Sequence, residues 1–438
     1  MNCRLKHKKY VITISYGDYT IGGGGTDKYL LSQQRLFNEH GISVLHIYPR
    51  EKVFKRTVGS RRVWSVLCDG DLVGICDVYG ISNLILKEQI KGVFLLGIII
   101  HHMKNTSLKE VIKVLELTEV PVYFYLHDYY TVCPSAGLIK DKREFCGVSF
   151  PNNNKCINCS CFDNTLIEDT VLIKDIFRII KDRVTFIAPS KSVSDNWSLA
   201  YPDYMGSVVI LPHQTLLGSY YGNMDVINDN EPLKIAYVGY QALHKGWKEW
   251  IDAAKTAKDN GNNYCFYQIG RCSETYDFIS QIHVDFQTDI NAMTKALRDN
   301  SIDCAVLWSV WPETYSFTLF EACSANCFIL TNSMSGNIAA VVNERENGIV
   351  AKDRSDLIEL MLDEKLLREK INSFRMKKLY GPESLEENDA IISLIESNKI
   401  EYSVREVKYS LSEPMLSLLF DIYSLAIRIK RLLLGLKS

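Results

Sequence analysis

Two glutamates, Glu313 and Glu321, are separated by seven intervening residues in the segment Trp311-Pro312-Glu313-Thr314-Tyr315-Ser316-Phe317-Thr318-Leu319-Phe320-Glu321-Ala322. The Pro-Glu-Thr start reads as a loop, and Phe317 onward reads as the beginning of a helix. An apolar run, Cys304-Ala305-Val306-Leu307-Trp308, precedes it and reads as a buried parallel strand. A strand, a loop and a helix start together form the crevice where open α/β sheets bind ligands. The N–H groups of Tyr315, Ser316, Phe317 and Thr318 suit phosphate oxygens, and the two carboxylates suit sugar hydroxyls. An isolated pair of acids at a helix start more often serves the helix dipole, so the weight rests on what accompanies it.

Three other groups could do related chemistry. Gly22-Gly23-Gly24-Gly25-Thr26-Asp27 lies between a strand and a helix, where glycines let the backbone approach a ligand and the helix adds N–H donors. Its spacing is not the dinucleotide GxGxxG, and a flexible turn is the plain alternative. In Val238-Gly239-Tyr240-Gln241-Ala242-Leu243-His244-Lys245-Gly246, a strand ends at Gly239 and Lys245 follows near the mouth of the next helix. A lysine there can neutralise a departing diphosphate as a metal would, although most lysines are merely solvated. His127-Asp128 follows the apolar run Val122–Leu126 at the end of a strand where α/β sites sit. A lone histidine in that place is more often a buried structural group than a ligand for sugar.

The elements that must position these residues alternate. Strands are expected at Tyr10–Tyr16, Ile42–Tyr48, Val93–Ile100, Val122–Leu126, Val184–Ala188 and Val208–Leu211. Helices are expected at Thr26–His40, near Leu108–Leu117 and near Leu166–Ile180. A second series has strands at Lys234–Val238, Tyr264–Ile269, Cys304–Val310 and Phe328–Asn332. Its helices fall at Trp247–Asp259, Ile290–Asp299, Phe317–Ser324 and near Asn337–Val342. The rhythm implies an α/β protein with two doubly wound, Rossmann-like domains facing a ligand cleft. The boundaries are an N-terminal domain over 1–217, a linker over 218–232, a C-terminal domain over 233–400 and a tail over 401–438.

In this order and with these separations, the motifs resemble those of the family-4 glycosyltransferases of the GT-B fold, from about Tyr10 to about Ala351. Gly24-Gly25-Thr26-Asp27 looks like that family's Gly-Gly-x-Glu/Asp loop. Val238-Gly239 through Lys245-Gly246 is similar to its Val-Gly…Lys-Gly segment, and Glu313 to Glu321 to its Glu-x7-Glu signature. Asn332 through Val350 resembles its closing turn and Asn-Gly pattern. The resemblance implies a retaining transfer from a nucleoside-diphosphate sugar to a glycan or lipid-linked glycan, of the bacterial surface-polysaccharide type, with no metal or cofactor required for catalysis. It gives Glu321 to the ribose, Glu313 and His127 to the transferred sugar, Lys245 to the diphosphate, and Gly24, Gly25 and Gly239 to close backbone approach. Two positions depart from the pattern. Tyr240 stands where the family often has arginine, leaving Arg271 as the candidate second cation, and Leu211-Pro212-His213-Gln214 replaces the usual Pro-Asn. Rival readings are another GT-B enzyme, an epimerase or a phosphorylase, and a non-catalytic nucleotide-sugar-binding partner of another transferase.

Five of the thirteen cysteines fall in a polar insertion at about 131–164. Cys133, Cys146, Cys156 and Cys159 could hold a structural zinc; reduced thiols and, less so, a disulfide are the alternatives. The remaining scatter suits reduced thiols in a cytoplasm. Residues Leu411–Lys437 read as an amphipathic helix, suited either to peripheral contact with the inner face of an anionic membrane or to packing back on the N-terminal domain. A net charge of −2 gives no electrostatic case for a nucleic-acid partner. The basic start Met1–Lys9 runs into a strand with no apolar signal core, so export is not expected.

Overall fold

The computed structural model describes residues 5–49, 63–133, 136–141, 144–148, 164–217, 225–377, 384–397 and 402–405, with isolated positions between 156 and 160 and between 422 and 429. The N-terminal sheet is built from β1 (Lys9–Ile14), β2 (Ile42–Pro49), β3 (Trp64–Cys68), β4 (Asp71–Cys76), β5 (Phe94–Ile100) and β6 (Val122–Tyr125). A two-residue-per-strand hairpin, β7 (Ile139–Lys140) and β8 (Glu144–Phe145), interrupts the series before β9 (Val184–Ala188) and β10 (Val208–Ile210). The order across the sheet is β10-β9-β6-β5-β1-β2-β3-β4. All neighbours from β10 to β2 run parallel, and β3 and β4 close the edge antiparallel.

β11 (Gln214–Leu217) leads toward the second sheet: β12 (Leu233–Val238), β13 (Tyr264–Ile269), β14 (Ile279–Ile282), β15 (Cys304–Val306), β16 (Phe328–Asn332) and β17 (Gly348–Ala351). Their order is β14-β13-β12-β15-β16-β17, parallel throughout. Both sheets are covered on both faces. On β1, Tyr10, Ile12 and Ile14 enter one core while Val11 enters another, and on β12 Ile235 and Tyr237 oppose Ala236 and Val238. That period of two is why these strands read as unbroken apolar runs.

Several elements differ from expectation. The hairpin β3–β4 was not anticipated. It turns at Asp69 (φ 49°) and Gly70 (φ 88°), the Asp-Gly pairing that a tight hairpin favours. β15 stops at Val306 rather than Val310, because the chain curls there into the loop that carries Ser309 and Glu313. Residue 400 is too late for the second domain's end. The chain crosses back at β18 (Ser384–Glu387), which pairs antiparallel with β11, and the helix Ala390–Ser397 places Ile391, Ile392 and Ile395 in the N-terminal core. An amphipathic helix buries its apolar face on the nearest uncovered sheet, whichever half of the chain built it.

Most of Leu411–Lys437 lies outside the described residues, as do 218–224 of the expected linker. Ile422, Leu425 and Ile429 are helical and 48–60 % exposed. Among the described residues no helix is long and apolar enough to cross a membrane.

Candidate functional site

The carboxyl ends of both sheets face one cleft. After β1 the chain makes the glycine loop and enters the helix Gly25–Glu39. Asp27, in that helix's first turn, turns back beneath the loop: it accepts from the Gly24 N–H at 3.0 Å and the Tyr16 hydroxyl at 3.2 Å. A Cβ on Gly22 would fall 2.2 Å from an Asp27 oxygen, and one on Gly23 only 2.6 Å from an Arg271 nitrogen reaching over from the other domain. Glycines leave room for these side-chain ends, which would have to shift for any larger residue. Gln287 fastens the loop from the same side, donating to the Gly22 carbonyl at 2.6 Å.

On the opposite wall, β12 ends at Val238 and Gly239 takes φ 126°. Lys245 closes a short 3-10 turn, and Gly246 behind it (φ 77°) lies so close to the Trp308 carbonyl that a Cβ would be 2.0 Å away. Lys245 Nζ donates to Glu313 Oε1 at 2.5 Å, and the Ser309 hydroxyl donates to the same oxygen. Burial works against the Lys245 ammonium, but the Glu313 carboxylate beside it raises its pKa. The turn after β16 seats this loop. The Asn332 amide and Ser335 hydroxyl both donate to the Ser309 carbonyl at 3.0 Å, and the Asn337 N–H donates to the Glu313 carbonyl at 2.9 Å.

The helix Phe317–Ser324 begins at Ser316, which makes no side-chain cap, so its first N–H groups face the cleft. One turn on, buried Glu321 forms an ion pair with Lys28, from the helix Gly25–Glu39 of the other domain; the two side chains are 5 % and 7 % exposed. The Lys28 ammonium also lies over the Phe317 ring, 5.2 Å from its centroid. Thr314 ties the domains a second time, donating to the His127 carbonyl and accepting from the Ser190 hydroxyl at 2.7 Å.

His127 shares a 3.0 Å hydrogen bond with His101, and both rings stack on Tyr125. Burial pushes the His127 pKa down to about 3 and holds those of His101 and His213 well below the usual value, so the cluster is neutral. A neutral ring has one donor and one acceptor nitrogen, and with Nε2 on His101, His127 keeps Nδ1 for a ligand without carrying a charge. Beside it, His102 donates to Asp128 at 2.9 Å.

Two connected cavities fill the cleft. One, of about 230 Å³, is bordered by Gly24, Gly25, Gly239, Arg271, Tyr315, Ser316, Phe317, Thr318 and Glu321. The other, of about 770 Å³, is bordered by His127, Asp128 and His213. Lys245 and Glu313 line both. The structure therefore gathers all twelve candidate residues outside the cysteine insertion. Arg271, 52 % exposed at its side chain, lies 3.5 Å from Asp285.

The four cysteines lie apart from the cleft's lining. Among the described residues no three His, Cys, Asp or Glu side chains gather closely enough to hold a metal ion. The cysteines' observed bonds are local: the Cys146 N–H reaches the Leu138 carbonyl at 2.7 Å, and the Cys159 N–H reaches that of Cys156 at 3.1 Å.

Four further residues take part. Lys28 gave no motif. His213, in the segment that departs from the family pattern, stacks on Tyr29 with centroids 4.0 Å apart and borders the cleft. His101-His102 had a usable signal: β5 and β6 are neighbours in register (Ile100 against Phe124), so a His-His and a His-Asp just beyond their ends must meet.

Two Rossmann-like domains with a charged cleft at their strand ends define the GT-B fold. Residues 224–377 match the family model described as glycosyl transferases group 1. No curated protein matches the chain. Among solved structures, sucrose-phosphate synthase from Thermosynechococcus elongatus is similar, at a TM-score of 0.54 and 12 % identity over 89 % of this chain and 97 % of that one. Anabaena HepE, solved with UDP and glucose, gives 0.48 and 11 % over 88 % and 94 %. TarM of S. aureus gives 0.47 and 10 % over 89 % and 99 %. The fold and the C-terminal match together support a nucleotide-sugar glycosyltransferase.

Proposed function

We propose that the chain moves a sugar from a nucleoside-diphosphate sugar to a hydroxyl of a glycan or lipid-linked glycan acceptor, with retention and without a catalytic metal. The observation that carries this reading is the shared position of Lys245 and Glu313, which border both cavities at their junction. The smaller cavity takes the nucleotide. Glu321 accepts from the ribose hydroxyls, and the N–H groups of residues 316–318 with Lys245 and Arg271 hold the diphosphate. Glu313, with one oxygen on Lys245 and Ser309, keeps capacity for a hydroxyl of the transferred sugar, and neutral His127 bonds another from across the cleft.

In the reaction, the bond from C1 to the diphosphate oxygen breaks and a bond from C1 to the acceptor oxygen forms on the same face. The acceptor's proton passes to the departing diphosphate. The protein contributes position and charge stabilisation rather than a nucleophile. The sequence resemblance supports the retaining course and a role in surface-polysaccharide synthesis. The apolar residues 422, 425 and 429 support membrane contact by the tail, which liposome co-sedimentation with and without residues beyond 410 tests.

A thermal-shift screen of UDP- and GDP-sugars tests the donor site. At least one should raise the melting temperature of the unmutated protein, and Glu321→Ala should abolish the rise. Binding that ignores the substitution would remove Glu321 from the site.

A further inference from the structure

The larger cavity contains a carboxylate that the donor chemistry does not use. Two acids line it, Glu313 and Asp128. Glu313 is neutralised by Lys245. Asp128 is 26 % exposed at its side chain, and its orientation is fixed from behind by two hydrogen bonds. The Tyr130 N–H donates to Oδ1 at 2.8 Å, and His102 Nε2 meets Oδ2 at 2.9 Å. The Lys104 N–H donates to His102 Nδ1 at 2.8 Å. A backbone N–H can only donate, so Nδ1 accepts, and the ring proton belongs on Nε2, aimed at Asp128. Tyr16, edge-on at 5.3 Å, and Tyr130, tilted at 4.8 Å, pack against the buried ring and hold it in place.

We propose that Asp128 is an acceptor-binding residue: its remaining lone pairs accept a hydrogen bond from a non-reacting hydroxyl of the sugar acceptor, and His102 is the positioning residue that aims it. An ionised carboxylate has about four acceptor sites, and the fixed partners fill two of them. Those left open face the cleft. The preceding residue, His127, serves the transferred sugar from the same strand end, so adjacent side chains divide donor sugar from acceptor. Burial alone would raise the Asp128 carboxyl, but the His102 ring and the Tyr130 N–H outweigh it and hold it below the usual range. Such a group is a poor proton acceptor at neutral pH and a good hydrogen-bond acceptor, which suits recognition rather than general-base work.

This inference rests on the transferase reading above, and the test separates the two. The probes are UDP-glucose and GDP-mannose as donors, with a panel of methyl hexosides as acceptors, and nucleotide release is the readout. In the unmutated protein at least one methyl hexoside should accelerate release. Asp128→Asn should raise the KM for that glycoside by about 10- to 100-fold, the range for losing a hydrogen bond to a charged group. The nucleotide-induced thermal shift should persist. His102→Ala should raise the same KM, and His102→Gln, which returns an N–H near the position of Nε2, should restore most of it. A purely structural histidine would not be rescued in KM alone. An unchanged glycoside KM in Asp128→Asn, or a loss confined to kcat, overturns the inference while leaving the donor site standing. Absence of any donor binding by the unmutated protein overturns the transferase reading and this inference with it.

Discussion

Of the two walls of the cleft, the N-terminal one is made of rings and the C-terminal one of ions. His101, His127, His213, Tyr29 and Tyr125 form a stacked, uncharged cluster at the ends of β5 and β6, on the segment after β10 and on the helix Gly25–Glu39. Across from it stand Lys245, Glu313 and Arg271, on loops that follow the strands of an all-parallel sheet, and Glu321 on the helix Phe317–Ser324. Under the proposed function, the difference suits what each wall would hold. A sugar presents hydroxyls and C–H faces, which neutral rings satisfy without a desolvation penalty; a diphosphate presents charge, which needs cations and helix N–H groups. Two charges break the division: Lys28, an ammonium from the ring side inserted among the ions, and Asp128, the carboxylate beside His127.

Lys28→Met is therefore the most disruptive way to break the contrast. It strands the buried Glu321 carboxylate, and the expected cost is about 3–5 kcal/mol, read by urea unfolding. Glu321→Gln in the same background should recover much of it, and failure to recover would mean that Lys28 matters through packing instead. Lys245→Ala comes next. Turnover should fall by about 10²–10³-fold, the usual consequence of removing one preorganised charge from a transition state. Thermal unfolding should change less than for Lys28→Met.

Acid tests the ring side. Burial holds His127 at about 3 and His46 at about 4, against an ordinary 6.5, and lowers His101 and His213 as well. Below pH 6.5 the unfolded chain takes up protons that the folded chain refuses. Stability is thus fully present above that value and is lost as the pH falls toward 3–4. At pH 5 each such histidine should cost about 2 kcal/mol. Equal unfolding free energies at pH 7 and pH 5 would contradict a neutral wall. Arg271→Ala should have the smallest effect, raising the donor Kd by about 3- to 10-fold, because an exposed cation is screened by solvent. No change in Kd would leave Lys245 as the only side-chain cation assigned to the diphosphate.

The same contrast explains what could be read in the sequence. The C-terminal wall was legible because its ions sit in short segments, each just past an apolar strand: Gly239 to Lys245, and Glu313 to Glu321. The expected bounds of β13, β16 and the helices Trp247–Asp259 and Phe317–Ser324 are those observed. The N-terminal wall was less legible because its parts come from distant segments. Tyr29, His101, His127 and His213 meet only once the strand order is known, and no local pattern distinguishes a stacked histidine from a core one. Asp69-Gly70 was a readable turn that went unread. The return of Ala390–Ser397 was not readable, since its apolar face fits either sheet.

That returning helix bears on how the molecule is made. Ile391, Ile392 and Ile395 complete the core containing Val11, Tyr29 and Ile99, and the Leu95 N–H on β5 finds its partner in the Tyr402 hydroxyl. On the ribosome, the first-synthesised half therefore emerges with part of one face of its sheet uncovered, beside the helix Gly25–Glu39 that already packs there. It waits for almost the whole of the second half to be translated before that strip can close. The half that begins first finishes last, and for that interval the open strip is the surface a chaperone would meet.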